Sequence, residues 1–177
     1  RWALTAAHCL PDRSEALTVS CQSEAEPAGR QNIRIVRIVH HPTHDVALIE
    51  TTGSTRCEAG TLAIADRITP GASFHALLLP CGPIAEQRSS TRVELVEVTR
   101  DAHVLRLLTE SDCPQVSDSG TPVLVSGQAD GPEAAGILIA GAPGCPGIQT
   151  VLRLDLLTPW IRRQTKEAFD ASPDCTR

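Results

Sequence analysis

An all-β fold closed by one C-terminal helix is predicted by three observations. Short runs rich in Val, Ile, Leu and Thr recur through the 177 residues. The breaks between them carry Pro, Gly, Asp or Ser, and no run alternates with a helical pattern as a parallel sheet would require. Several short strands separated by turn signals mean a sandwich or a barrel.

In chain order the candidate strands are 16–20 (ALTVS), 33–39 (IRIVRIV), 45–50 (DVALIE) and 74–79 (FHALLL), followed by 92–98 (RVELVEV), 103–108 (HVLRLL), 122–126 (PVLVS) and 136–141 (GILIAG). Turn signals at 26–29 (EPAG), 69–72 (TPGA) and 130–133 (DGPE) separate them. Arg30, Arg34 and Arg37 fit the wet side of a strand. In 158–169 (TPWIRRQTKEAF), Thr158 suits a helix cap and Pro159 its first turn, while Trp160, Ile161, Ala168 and Phe169 supply an apolar face. Residues 170–177 form a C-terminal tail, and neither an internal repeat nor a low-complexity linker divides the chain, so one domain over 1–169 is expected.

Composition narrows the function. Apolar residues make up 41% and charged residues 21%, ordinary values for a globular protein, but Tyr and Met are absent, so the core is built from Leu, Val, Ile and Ala. A net charge of −5 excludes a protein that works by neutralising phosphates, so no nucleic-acid partner is expected. No apolar run approaches the roughly 18 residues that span a bilayer, so no membrane partner is expected. Seven cysteines (Cys9, Cys21, Cys57, Cys81, Cys113, Cys145, Cys175) lie far apart with no C-x-x-C pair. That spacing favours isolated disulfides in an oxidising, extracytoplasmic or secreted setting over a zinc ribbon. The odd count leaves one thiol free or paired outside this sequence.

Three residues in a fixed order carry the chemistry. His8 lies in 4–9 (LTAAHC), Asp45 follows 37 positions later in 45–49 (DVALI), and Ser119 follows 74 positions after that in 117–122 (SDSGTP). A serine hydroxyl is a weak nucleophile at neutral pH until a base takes its proton, and that base needs a partner to fix its tautomer and stabilise its cation. His8 is the candidate base, Asp45 its orienting partner and Ser119 the nucleophile; Asp12 and Asp66 are rivals to Asp45. His40, His41 and His44 also cluster, but Pro42 prevents the helical spacing of a zinc site, so no metal is expected there.

The order His, Asp, Ser and the motifs around it resemble the chymotrypsin/trypsin family of serine proteases. LTAAHC is similar to the family's histidine motif, DVALI to its aspartate motif and 118–122 (DSGTP) to its serine motif. Residues 136–145 (GILIAGAPGC) look like the strand along its substrate pocket, 146–148 (PGI) like the segment after it, and Trp160–Ile161 like its closing helix. The resemblance implies two six-stranded antiparallel Greek-key barrels with a C-terminal helix, the first barrel incomplete. It also implies a monomeric serine endopeptidase acting on polypeptides without a cofactor. The backbone N–H groups of Ser117 and Ser119 would form the oxyanion hole, and Asp112, Cys113, Ile139, Ala140 and Gly141 would line the pocket, braced by a Cys113–Cys145 disulfide. The pairing of Cys21, Cys57, Cys81 and Cys175 stays open.

Some residues depart from the family pattern. Ser117 and Thr121 stand where the family has Gly, and Ile139–Ala140 replaces Ser-Trp. A binding module that keeps the fold with weakened or lost catalysis is therefore the alternative function. Asp112 precedes Cys113 as the acidic residue does in members that select Arg or Lys, but Cys113 lies six residues before Ser119 where the family usually has four. A solvent-facing Asp112 is the alternative. The family also pairs the cysteine after its histidine with an upstream cysteine, which Cys9 lacks here. Sequencing the complete reading frame is therefore expected to find an upstream segment with a cysteine before a strand, behind a signal peptide; an initiator Met directly before Arg1 would overturn this.

Overall fold

The described residues form twelve strands and one α-helix. The computed structural model describes residues 2–10, 19–22, 30–52, 63–65, 68, 74–78, 89–98, 103–109, 119–125, 133–141 and 147–170.

The first sheet is antiparallel and built from β1 (Trp2–Thr5), β5 (Ala47–Thr51) and β4 (Ile35–His40), in the order β1-β5-β4. Its register is held by side chains that meet across all three strands. Trp2 pairs with Glu50, and Glu50 pairs with Arg37. The Arg37 guanidinium lies over the Trp2 ring, 5.0 Å from its centroid, and its Nε donates to Glu50 Oε2 at 2.8 Å. A cation–π contact and an ion pair on one row cost little side-chain entropy beyond what either would cost alone, and a register slip would break both. The exposed position of Arg37 on β4 agrees with the wet-side reading of this segment. A separate antiparallel pair joins β2 (Val19–Gln22) to β3 (Arg30–Ile33).

The second sheet closes on itself. It contains β7 (Phe74–Leu78), β8 (Ser89–Val98), β9 (Val104–Thr109), β10 (Pro122–Val125), β11 (Glu133–Gly141) and β12 (Gly147–Arg153). Their order is β10-β7-β8-β9-β12-β11, and a further β10–β11 pairing completes the ring, which removes free edges. The short β6 (Ala63–Ile64) runs parallel to β11 at Glu133–Ala134. The fold is all-β with a C-terminal helix, as expected; strands β1, β3, β6 and β12 add to the elements recognised from the sequence alone, since the run expected at 33–39 is broken at Arg34 between β3 and β4.

Period-two alternation divides the aliphatic residues between two cores. Ala65, Leu105, Val123, Val125, Ala135, Leu138 and Val151 fill the closed barrel. Their strand neighbours Leu124, Ala134, Ile137 and Leu152 turn outward and meet Val46 and Leu48 of the first sheet, so one apolar layer glues the two sheets together.

The helix α1 (Thr158–Asp170) seals that layer. Trp160, 8% exposed, and Leu157 are buried in it, with Ile161 packed alongside. The turn into the helix is fixed by Arg153, whose Nε and Nη2 grip the Asp155 carboxylate at 3.0 and 2.6 Å, a bidentate geometry that carries direction as well as charge. Thr158 differs from the expected cap: its hydroxyl donates back to the Leu154 carbonyl at 3.1 Å, because the chain arrives already coiled, with Leu157 N–H bonded to Leu154 O. The side chains of Ala168 and Phe169 lie outside the described residues. Truncating a buried aromatic typically costs about 3–5 kcal/mol. Trp160→Ala is expected to lower unfolding stability by that amount in urea titration, with an unchanged denaturant slope; a loss under about 1 kcal/mol would show that α1 is not part of the shared core.

Candidate active site

The candidate base stands on a single 3-10 turn. β1 ends at Thr5, Ala6 is fully buried, and Ala7–Cys9 form the turn that lifts His8 to the surface. Small residues before His8 are what allow the backbone to pass this close to the second sheet.

Asp45 holds His8 at two points. Its Oδ1 accepts the backbone N–H of His8 at 2.9 Å, and its Oδ2 lies 2.6 Å from the ring Nδ1. An ionised carboxylate only accepts, so Nδ1 carries the proton and the Nε2 lone pair is left free to act as a base. One carboxylate thus sets both the backbone position and the tautomer of the imidazole. The side chains are 47% and 34% exposed, which leaves the pair open to a bound substrate.

Asp45 is itself positioned by a histidine. His41 Nδ1 accepts the backbone N–H groups of Thr43, at 3.2 Å, and His44, at 3.1 Å, curling the loop after β4. The loop is closed by His41 N–H to Val46 O at 2.9 Å and Val46 N–H to His44 O at 2.8 Å. The His41 ring stands edge-on to Trp160 with centroids 4.8 Å apart, and His44 stacks between His41 and His103, at 4.8 and 4.2 Å. The crowded histidines therefore brace the aspartate loop. The sequence argues only against a metal at this cluster and does not reveal the bracing role, since a ring nitrogen acting as a turn acceptor leaves no local signal.

Ser119 comes from the second sheet. Its loop is pinned on β11: Gly120 N–H donates to Leu138 O at 2.7 Å, and Leu138 N–H donates to Thr121 O at 2.9 Å. Gly120 has φ +88°, a left-handed conformation that favours glycine. A Cβ there would meet Thr5 Oγ1 at 2.5 Å and the Ala6 backbone nitrogen at 3.3 Å. The serine turn therefore lies backbone against backbone on the histidine segment. Cys9, next to His8, donates its thiol to the Ser119 carbonyl at 3.5 Å. Burial pushes the Cys9 thiol pKa up, the Asp45 carboxylate pushes the same way and a hydrogen bond from Thr5 opposes them, so Cys9 stays protonated at neutral pH. Cys9 is a free thiol among the described residues.

The three sequence-predicted residues are thus brought to one place, His8 and Asp45 in direct contact and Ser119 against the neighbour of His8. Of the expected pocket residues, Ile139 packs half-buried on the shared core while Ala140 and Gly141 are exposed at the end of β11. Ser117, Asp112, Cys113 and Cys145 lie outside the described residues, as do the rivals Asp12 and Asp66.

Two β-sheets meeting at a carboxylate-held histidine from one and a serine turn from the other define the trypsin-like class. The chain belongs to the Trypsin family, whose model matches residues 1–161. It is 28% identical to mouse Ovochymase-2 over 151 residues, covering 74% of this chain and 24% of that protein, so the chain spans about a quarter of this relative's length. Among solved structures it is similar in fold to Kallikrein-related peptidase 10, with a TM-score of 0.71 and 20% identity over 94% of this chain and 85% of the other. The same peptidase in complex with Zn2+ aligns with a TM-score of 0.69, again at 20% identity and with the same coverage.

The brace carries a pH dependence. Burial lowers the His41 pKa, and the neighbouring His44 and His103 lower it further. The folded protein then binds fewer protons than the unfolded chain between the depressed value and about 6.5, so stability is full above that range and declines as pH falls through it. His41→Asn keeps an acceptor for the Thr43 and His44 N–H groups but does not titrate. It is expected to flatten the acid side of the Tm-against-pH curve below about pH 6.5; an unchanged slope would assign the acid sensitivity elsewhere.

Proposed function

We propose that this domain is a serine endopeptidase that cleaves polypeptides through an acyl-enzyme. The observation that carries the reading is the two-point hold of Asp45 on His8, which leaves Nε2 as a base beside the Ser119 turn. Ser119 Oγ attacks the scissile carbonyl carbon while His8 Nε2 takes the hydroxyl proton. The tetrahedral oxyanion is stabilised by the backbone N–H groups of Ser117 and Ser119. His8 then delivers its proton to the leaving amine, which departs as the C–N bond breaks. Water, activated by the same imidazole, attacks the acyl-enzyme and restores Ser119. Asp45 stays ionised throughout and stabilises the imidazolium form of His8. The chemistry calls for no metal or organic cofactor, and the dispersed cysteines fit work outside the reducing cytosol. Among the described residues, no helix is long and apolar enough to cross a membrane.

A second reading, a binding module built on the same fold, is favoured by Thr121, a buried threonine in the turn where the family has glycine, and by Ile139–Ala140 in place of Ser-Trp. A serine-directed phosphonate separates the two, because only an activated serine reacts. In the full-length protein, Ser119→Ala is expected to abolish labelling and cleavage, and Asp45→Asn to lower kcat about 10⁴-fold by permitting the wrong tautomer. Ser117→Gly is expected to raise kcat, since glycine adopts at less cost the backbone conformation that aims this N–H at the oxyanion, and such a donor is worth about 10²–10³ in rate. Absence of labelling and of cleavage in every variant would favour the binding module.

A further inference from the structure

Among the described residues, the interior of the closed barrel is aliphatic except at one position. Alternation along β12 turns Gln149 to the same face as Val151, which lies in that interior. Gln149 is 1% exposed, and neither its Oε1 nor its Nε2 has a hydrogen-bond partner among the described residues. Among the described strand residues, Gln149 is the one buried polar side chain. An amide with both ends unpaired in such surroundings weakens the free protein and calls for an explanation.

The amide lies directly beneath a gap in the neighbouring strand. Gln149 pairs across strands with Gly141. A Cβ on Gly141 would collide with Gln149 Oε1 and sit 3.1 Å from its Cδ and 3.5 Å from Nε2. Gly141 is exposed and contributes no side chain over the amide. The strand that carries the gap is also the one on which the Ser119 turn is pinned, at Leu138. Leu138 and Gly141 are three residues apart, at most about 10 Å of extended strand, so the gap lies along the strand from the serine turn.

We propose that Gln149 is a specificity-determining residue whose amide receives the carboxamide of a glutamine side chain next to the cleaved bond. The assignment follows from satisfying both ends of the amide at once. A substrate carboxamide donates from its NH2 to Oε1 and accepts from Nε2 through its oxygen. An ammonium or guanidinium satisfies Oε1 but confronts the Nε2 hydrogens with a cation. A carboxylate satisfies Nε2 and repels Oε1, and an aliphatic side chain leaves both unpaired. Glutamine is favoured over asparagine because the amide is buried beneath Gly141, several residues along the strand from the serine turn, and the longer side chain reaches further. Gln149 touches no reacting atom; it selects which side chain is held while Ser119 acts. The inference rests on the proteolytic reading of the site, but its test does not require turnover.

The test measures equilibrium binding to the full-length protein carrying Ser119→Ala, using short peptides that differ only in the residue before a central bond: Gln, Asn, Leu, Arg or Glu. The Gln peptide is expected to bind tightest, by about tenfold over Leu, the ratio for leaving a hydrogen-bonded amide without its partner. Gln149→Leu and Gln149→Met, both close in volume, are expected to reverse the Gln and Leu order and to raise the Tm of the free protein by removing the unpaired amide. Arg or Leu binding as tightly as Gln, an order unchanged in both variants, or no binding of any peptide would overturn the proposal. The expected binding order in a protein that neither cleaves nor labels would sustain the pocket and sink the proteolytic reading alone.

Discussion

The close approach of Gly120 to Thr5 and Ala6 is the constraint on which the site depends. His8 and Asp45 belong to one sheet and Ser119 to another, so no local sequence can assemble them. The two sheets meet through an apolar layer, which is non-directional and would tolerate sliding. The Gly120 backbone, left-handed and without a side chain, removes that freedom: any larger residue would push the serine turn away from Thr5. The hydrogen bonds of Gly120 and Thr121 to Leu138, and of the Cys9 thiol to the Ser119 carbonyl, then fix what the close contact permits. Burial supplies most of the energy here, and a single missing Cβ supplies the alignment.

A similar division appears around Asp45. Its carboxylate performs the site's electrostatic task, but its place is set by backbone hydrogen bonds to His41 and by the ring of Trp160 behind it. Trp160 belongs to the C-terminal helix, which Arg153 and Asp155 aim back across the joint between the sheets. The last element of the chain therefore supports a loop near its beginning. An apolar layer, a turn and a helix act together on a residue that none of them contacts through its reactive atoms.

Much of this was legible in the sequence, and the limit falls where geometry becomes non-local. LTAAHC, DVALI and DSGTP could be recognised because each role needs particular neighbours within a few positions: small residues before His8, aliphatic ones after Asp45, glycine after Ser119. The helix was legible from Pro159 and its apolar residues. β12 was not, because Gln149 interrupts its aliphatic alternation, and β1 is only four residues long. The roles of His41 and Gly120 and the burial of Gln149 under Gly141 arise from partners far along the chain or across a strand, and a string of residue types does not encode which strand will lie alongside.

The contact between Trp160 and His41 makes the molecule its own optical reporter. With two tryptophans and no tyrosine, its near-ultraviolet emission comes from Trp2, set under a guanidinium in the first sheet, and Trp160, set against an imidazole at the joint between the sheets. An imidazolium draws electron density from an excited indole more readily than a neutral ring does. The brightness of one native chromophore thus follows the protonation of the loop that holds Asp45, while the other stays tied to the first sheet, so the state of the site can be followed by light with no label attached.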